Sequence, residues 1–105
     1  MRDMDHSTGQ LTDQEIAEAR LEGWTVEDGV LRATFGTGDF TSGLKFVNTL
    51  AEIAEEVGHH PDVLLTYPSV QLSLISHDVE AITQKDVNMA RRLSELAGQL
   101  GISSS

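Results

Sequence analysis

The chain has 105 residues and a mass of 11.4 kDa, enough for a single domain with a modest core. Its 17 acidic side chains outnumber its 7 basic ones, and the formal net charge of −10 disfavours direct contact with nucleic acid or an anionic membrane. The absence of cysteine excludes a disulfide framework and a thiol nucleophile, and since no apolar run suits a signal peptide or membrane span, we expect a cytoplasmic protein.

The N-terminal part is predicted to be a tail followed by a short helix. Residues 1–10 are polar and show no hydrophobic period, so a disordered tail is expected. Thr12 and Glu15 have the spacing of a capping box, in which each side chain binds the backbone N–H of the other residue. A helix is therefore predicted over residues 13–22, with Gly23 as its C-terminal stop.

A β-hairpin and a longer helix are predicted next. Apolar residues alternate over residues 24–35 around a turn at residues 27–29, which indicates two antiparallel strands. Over residues 41–57 apolar side chains recur every three or four positions, as in an amphipathic helix. Gly58 and Pro61 end this helix, because glycine favours a left-handed cap and proline cannot continue a helix.

A second hairpin and a last helix complete the pattern. Alternation over residues 63–67 and 70–77 predicts two strands on either side of a proline-containing turn. A helix begins after Thr83 and carries an apolar stripe at helical spacing. The order helix, hairpin, helix, hairpin, helix predicts one α+β domain over residues 11–100, followed by a C-terminal tail over residues 101–105.

Three histidines form the part of the sequence best suited to chemistry. His59 and His60 follow the second helix and precede Pro61, and His77 lies at the end of the second hairpin. Imidazoles both donate and accept protons near neutral pH, so the cluster predicts acid–base catalysis without a covalent intermediate. Glu55 precedes His59 by four residues, one helical turn, and is predicted to orient its imidazole.

Each of these residues also has a structural interpretation. The segment from Gly58 to Pro61 is good helix-ending chemistry in its own right, and Tyr67 is typical of a half-buried strand residue. Thr83 and Asp86 match a second capping box, which predicts that Asp86 caps the last helix. Three histidines and a glutamate suit zinc, but adjacent histidines seldom reach one ion from a regular element, so no metal is predicted.

The spacing of these residues resembles a known signature. It is the pattern of the pterin-4a-carbinolamine dehydratases, also called 4a-hydroxytetrahydrobiopterin dehydratases. The residues that carry the resemblance are Glu55, His59-His60-Pro61, Tyr67, His77 and Asp86, with Gly23-Trp24, Asp39-Phe40 and Ser76-His77-Asp78 agreeing around them. The resemblance extends over residues 11–100. Val63, Leu65 and the Glu80-Ala81 pair depart from the family pattern near the expected pocket.

The resemblance implies a fold, a reaction and an assembly. The fold is three α-helices packed on one face of a four-stranded antiparallel sheet, in the order α-ββ-α-ββ-α. The reaction removes water from a 4a-hydroxytetrahydropterin to give the quinonoid dihydropterin, in tetrahydrobiopterin recycling, and it needs neither metal nor cofactor. Family members form homodimers or homotetramers.

The resemblance also implies roles for the matching residues. His59 and His77 are expected to be the acid–base pair, His60 a substrate-positioning donor and Glu55 the residue that orients His59. The expected substrate-binding residues are Tyr67, Ser76, Asp78 and Asp86, with backbone groups from Ser76 to Asp78 binding the amide edge of the pterin.

Other functions fit the same fold. Some relatives are dimerisation cofactors of a transcription factor or assembly chaperones, and a dehydratase-like enzyme for another pterin is a further alternative. Retention of all three histidines favours the dehydratase. For an oligomer, the interface is expected at an exposed strand edge or on the helix over residues 41–57. The apolar face of that helix is wider than one sheet needs: Leu44, Phe46, Val47, Leu50, Ile53 and Ala54.

Overall fold

The computed structural model describes residues 9–104, which form three helices and an antiparallel sheet. In chain order the elements are α1 Asp13–Glu18, β1 Thr25–Glu27, β2 Val30–Gly36, α2 Phe40–Val57, β3 Asp62–Leu65, β4 Ser69–Leu74, α3 Gln84–Gln99 and β5 Ser103–Ser104. The sheet order is β1-β2-β4-β3, and every neighbouring pair is antiparallel. The predicted α+β class and the element order α-ββ-α-ββ-α are confirmed.

The sheet differs from the prediction by one short strand. Ser103 and Ser104 pair with Gly36 and Phe35 of β2, so the sheet has five strands and not four, and part of the predicted C-terminal tail is ordered. At the other end of the chain, residues 1–8 of the predicted tail lie outside the described residues. Gln10 forms an isolated bridge with Thr83.

Local sequence signals set the first two helix starts. Thr12 and Glu15 form the predicted capping box of α1. The helix ends at Glu18 and not at residue 22, because Arg20 adopts the left-handed conformation with φ of 54°. Asp39 caps α2 by accepting the backbone N–H of Ser42, and this hydrogen bond lowers the pKa of the Asp39 carboxyl.

The core lies between the helices and one face of the sheet. Burial alternates along β2 and β4, so every second side chain of these strands faces the helices. Within the core the Phe35 ring packs edge to face against both Trp24 and Phe46. The Trp24 indole N–H donates to the Ser94 hydroxyl on α3. The buried apolar residues around them include Leu31, Leu50, Val70, Leu72, Leu74, Val87, Ala90 and Leu93. No helix within the described residues is long and apolar enough to cross a membrane.

Gly43 lies within α2, where glycine would ordinarily cost about 1 kcal/mol relative to alanine. The helix packs so closely on the sheet that a Cβ at this position would lie 2.6 Å from Leu65 Cδ1 and 3.4 Å from Val70 Cγ2. The glycine therefore allows the close approach of α2 to β3 and β4.

The turn predicted for the first hairpin is present, whereas the last strand of the second hairpin is shorter than predicted. Asp28 and Gly29 both have positive φ, as a two-residue hairpin turn requires. In the second hairpin β4 ends at Leu74, short of the predicted residue 77. The bridge between Ser76 and Ala81 closes a tight turn, and His77 lies in that turn and not in a strand.

Gly23 provides a stability test of β5. Its φ is 88°, and a Cβ there would lie 2.9 Å from Ser104 Cβ, whereas Gly29 has φ of 79° and open space around it. Both Gly23→Ala and Gly29→Ala are expected to lower the free energy of unfolding by about 1–2 kcal/mol through backbone strain. Measured by urea unfolding, Gly23→Ala is expected to lose more unfolding free energy than Gly29→Ala, because Ser104 must move to make room for the new Cβ. In a chain without residues 103–105 the two variants are expected to lose the same amount. A difference that survives this deletion would show that β5 is not its cause.

Candidate active site

Gly58 directs the two adjacent histidines away from each other. Its left-handed conformation, with φ of 70°, ends α2, and the backbone N–H groups of Gly58 and His59 both donate to the Ala54 carbonyl. Helical spacing does not apply beyond this cap. The His59 side chain is 15% exposed and turns toward α3, whereas the His60 side chain is 59% exposed and turns back toward α2.

Asp86 is a fully buried carboxylate in the first turn of α3. Its Oδ2 accepts the backbone N–H of Thr83 at 2.9 Å and the Ser76 hydroxyl at 2.8 Å. Its Oδ1 lies 2.6 Å from His59 Nε2. A carboxylate only accepts hydrogen bonds, so this contact requires a hydrogen on His59 Nε2, and Nδ1 forms no hydrogen bond within the described residues. The predicted capping role of Asp86 is confirmed, and the same carboxylate also orients His59.

Ser76 connects the end of β4 to this carboxylate. Its hydroxyl donates to Asp86 and accepts from the Thr83 hydroxyl, at 2.8 Å in each case. Its backbone N–H donates to the Ala81 carbonyl, and its own carbonyl accepts from Val79 and Ala81. Because these groups are satisfied internally, Ser76 supports Asp86 in this structure and offers no unbonded N–H or O–H to a ligand.

Glu55 does not contact His59 as the sequence predicted. Its Oε2 lies 2.6 Å from His60 Nε2, in an exposed pair. The prediction assumed that the helix continues to His59, but the left-handed cap at Gly58 interrupts it. In the extended chain that follows, neighbouring side chains point to opposite sides, so His60 and not His59 faces Glu55.

The other predicted site residues lie at the surface. The His77 side chain is 67% exposed, and its Nδ1 is 3.9 Å from Glu80 Oε2. Tyr67 is also 67% exposed, in the turn between β3 and β4. Within the described residues no hydrogen bond joins His77 to His59 or His60. The link between them runs from His77 to its chain neighbour Ser76 and then through Asp86.

His59 and His60 line different depressions of the surface. His59 lines a pocket of about 300 Å³ whose walls are Val57, Lys85, Asn88, Met89 and Arg92. Asp78 and Ser76 line a neighbouring pocket of about 310 Å³, and Lys85 borders both. His60 lines a smaller cleft of about 140 Å³ beside Glu55. A larger groove of about 670 Å³ beside Trp24 contains no histidine. The pocket of His59 is therefore the candidate active site.

The α3 residues of this pocket were not found from the sequence. Lys85, Asn88 and Arg92 are three and four positions apart, so they lie on one side of the helix. That spacing is visible in the sequence, but only the fold shows that this side faces His59. Among residues 9–104, no three His, Cys, Asp or Glu side chains come together in a way that would hold a metal ion.

The fold and the site define a small α+β protein with a carboxylate-oriented histidine beside a pocket. A family model described as Pterin 4 alpha carbinolamine dehydratase matches residues 9–96. A Nostoc punctiforme protein named "Putative pterin-4-alpha-carbinolamine dehydratase" is 42% identical over 91 residues, which cover 85% of this chain and 98% of that protein. A protein of the same name from Koribacter versatilis is 41% identical over 88 residues, which cover 82% and 94%. The chain belongs to the pterin-4a-carbinolamine dehydratase family.

Two solved structures share the fold. One is a transcriptional coactivator/pterin dehydratase from Brucella melitensis, with a TM-score of 0.79 and 32% identity over 85% of this chain and 99% of that one. The other is a pterin dehydratase-like protein identified as a RuBisCO assembly factor in the alpha-carboxysome. Its TM-score is 0.59 and its identity 24%, over 71% of this chain and 87% of that one, so this likeness concerns the fold alone.

Two carboxylates of the site make a matched pair for mutation. In Asp86→Asn the amide cannot accept all three hydrogen bonds, so the free energy of unfolding is expected to fall by about 1–3 kcal/mol. Glu55→Gln changes an exposed pair and is expected to cost less than about 0.5 kcal/mol. Chemical denaturation measures both, and nitrogen NMR of His59 reports whether the hydrogen lies on Nε2. Equal losses in the two variants would contradict the role given to Asp86.

Proposed function

We propose that this protein removes water from a 4a-hydroxytetrahydropterin to give the quinonoid dihydropterin, with tetrahydrobiopterin recycling as the expected context. The observation that carries the proposal is the buried Asp86 carboxylate, which fixes His59 at the wall of a pocket of about 300 Å³. Membership of the dehydratase family supports the same reaction. We also propose a cytoplasmic location.

His59 is proposed to be the base. Its Nε2 is bound to Asp86, so a proton arriving at Nδ1 produces an imidazolium next to a carboxylate that stabilises it. In the proposed step Nδ1 removes the hydrogen of the ring nitrogen adjacent to C4a. The electron pair of that N–H bond forms the new C=N bond as the C4a–O bond breaks.

His77 is proposed to be the acid. It donates a proton to the departing hydroxyl group, which leaves as water, and its exposed ring recovers a proton from solvent. The substrate thus loses one hydroxyl group and one proton, and His59 returns that proton to solvent. The scheme uses two imidazoles and one carboxylate, with no metal or cofactor.

The remaining site residues are proposed to position the substrate or the base. His60, held by Glu55 at the surface, donates a hydrogen bond to the pterin, and Asp78, which lines the neighbouring pocket, borders the bound ring. Tyr67 lies in the turn at the far end of the β3–β4 hairpin and is given no role in the proposed step. The backbone N–H groups of His77 and Asp78 form no hydrogen bond within the described residues, so they suit the amide edge of the pterin. Asp86 and Ser76 act through His59 and are positioning residues, not substrate ligands.

Histidine variants test the acid–base scheme. His59→Ala and His77→Ala are each expected to lower kcat by roughly 10²–10⁴-fold, while His60→Ala is expected to raise KM more than it lowers kcat. Stopped-flow dehydration of an enzyme-generated 4a-hydroxytetrahydropterin measures this, after subtraction of the uncatalysed rate. His6→Ala, a histidine outside the described residues, serves as the control with wild-type rate expected. Wild-type kcat in both His59→Ala and His77→Ala would overturn the scheme.

A homodimer or homotetramer is the second part of the proposal. Of the apolar residues expected at a subunit contact on α2, Phe46, Leu50 and Ala54 are buried in the core, and Leu44 is 43% exposed. The edge strand β3 exposes Val63 and Leu64, at 40% and 56%. Exposed apolar side chains at an open strand edge favour contact with another chain. The same surface would serve the alternative role, binding a protein partner.

Sedimentation and light scattering test the assembly. The wild-type protein is expected to have two or four times the mass of the chain, and Leu64→Lys or Leu44→Glu is expected to reduce that mass by placing a charge in the interface. Val26→Glu changes a residue that is equally exposed on β1, far from β3 in the sheet order, and is expected to leave the mass unchanged. A strictly monomeric wild-type protein would contradict the proposal.

A further inference from the structure

The wall of the His59 pocket carries positive charge in a protein whose net charge is −10. Lys85 and Arg92 line it together with Asn88 on the same side of α3, and no Asp or Glu lines it. The chain has only seven lysine and arginine residues. Two of them therefore border a single pocket of about 300 Å³, beside the histidine proposed to be the base.

The polar groups of this wall are hydrogen-bond donors. Asn88 Oδ1 accepts from Gln84 Nε2 at 2.9 Å, so the oxygen of this amide is engaged and its NH₂ group has no partner within the described residues. The Lys85 ammonium makes no ion pair or hydrogen bond there. Among the described residues, the nearest carboxylate to the Arg92 guanidinium is that of the exposed Glu56, at 3.7 Å. This distance is too long for a hydrogen bond, so the ion pair is weak and a ligand can replace it.

The nearby carboxylate does not cancel this charge for a ligand. Asp86 is adjacent to Lys85 in the chain, but its side chain is fully buried and accepts three hydrogen bonds from His59, Ser76 and Thr83. A ligand in the pocket meets the lysine, the arginine and the amide donors first. Beside this wall the one exposed carboxylate of residues 9–104 in contact with a lining cation is that of Glu56, and its long contact with Arg92 can be replaced by a ligand. The donors and cations of the wall therefore recognise an anion.

The wall is long enough for a ring system and an attached anion. Lys85 and Arg92 are seven residues apart on α3, which corresponds to about 10 Å along the helix axis. A fused pterin ring beside His59 would occupy part of that length. The remainder would take a group at the end of the pterin side chain.

We infer that the preferred substrate is a pterin whose side chain carries an anionic group, a phosphate or a carboxylate, that binds Lys85, Asn88 and Arg92. The inference rests on the proposed function, because it places the reacting ring beside His59. The proposed dehydration of the tetrahydrobiopterin carbinolamine is kept, and the inference adds that a pterin with an anionic side chain binds more tightly than one with a neutral side chain.

Binding of stable dihydropterins to the full chain tests the inference. The probes are 6-hydroxymethyl-7,8-dihydropterin, its phosphate monoester, and 7,8-dihydrofolate as the carboxylate-bearing form, titrated calorimetrically at low salt. The phosphate ester, the folate or both are expected to bind about 5- to 10-fold more tightly than the neutral alcohol, as two exposed charge contacts allow. The stronger of the two anionic probes identifies the phosphate or the carboxylate as the group recognised.

Charge variants show where the anion binds. In the Lys85→Gln/Arg92→Gln double variant the ratio of the affinities for the anionic and neutral probes is expected to fall to about one. The Lys85→Gln/Arg92→Lys variant keeps one positive charge and is expected to restore part of that ratio. Lys45→Gln is the control, because it removes a positive charge far from the pocket. Lys45 lies about 18 Å along α2 from Val57, the residue of that helix in the pocket wall, and the variant is expected to keep the wild-type preference. Thermal unfolding of each variant confirms that the fold is retained.

The outcomes separate this inference from the proposed function. Equal affinity for the neutral and anionic probes, or a preference that persists in the double variant, would overturn the inference while dehydratase activity still stands. If no dihydropterin binds and no dehydration occurs, the proposed function fails and the inference fails with it.

Discussion

The buried carboxylate of Asp86 is the constraint on which the site depends. A charged group with no exposed surface would cost several kcal/mol if its oxygens were not hydrogen-bonded. The donors come from three parts of the chain: the His59 ring after α2, the Ser76 hydroxyl after β4 and the Thr83 backbone before α3. Satisfying one carboxylate therefore fixes three chain segments relative to one another. The orientation of His59 follows from that requirement.

The second constraint is the backbone at the end of α2. A left-handed Gly58 followed by two histidines and Pro61 turns the chain from a helix into the edge strand β3. The two imidazoles leave this corner in opposite directions, so one joins the buried network and the other pairs with Glu55 at the surface. Adjacent residues of the same type thereby acquire different environments. This difference is the physical basis for giving them different roles in the proposed reaction.

Charge is distributed unevenly over the molecule. The excess of acidic residues is consistent with a soluble surface and opposes contact with nucleic acid phosphates. One side of α3 departs from this pattern, because Lys85 and Arg92 stand beside His59 with no carboxylate in the pocket wall. Two of the seven basic side chains therefore lie at one pocket, which is the basis for inferring an anionic ligand there. Net charge alone would have argued against an anionic substrate.

The sequence by itself determined the features that depend on a few neighbouring residues. The capping boxes at Thr12 and Thr83, the stop at Gly58, the first hairpin turn and the order of elements were all predicted, because each signal lies within a few positions or one helical period. The spacing of the histidines with Glu55 and Asp86 also indicated the family, which the comparisons confirmed.

Only the tertiary structure decided which of these groups meet. His59 and Asp86 are 27 residues apart, and their contact depends on how α2 and α3 pack, which no local pattern encodes. The prediction that Glu55 contacts His59 was wrong for the same reason, since it extended helical spacing past the cap. Likewise, β5 forms because Gly23 leaves room for Ser104, and the cationic wall exists because one side of α3 faces His59. Local propensities thus set the elements, and long-range packing and the burial of one carboxylate set the site.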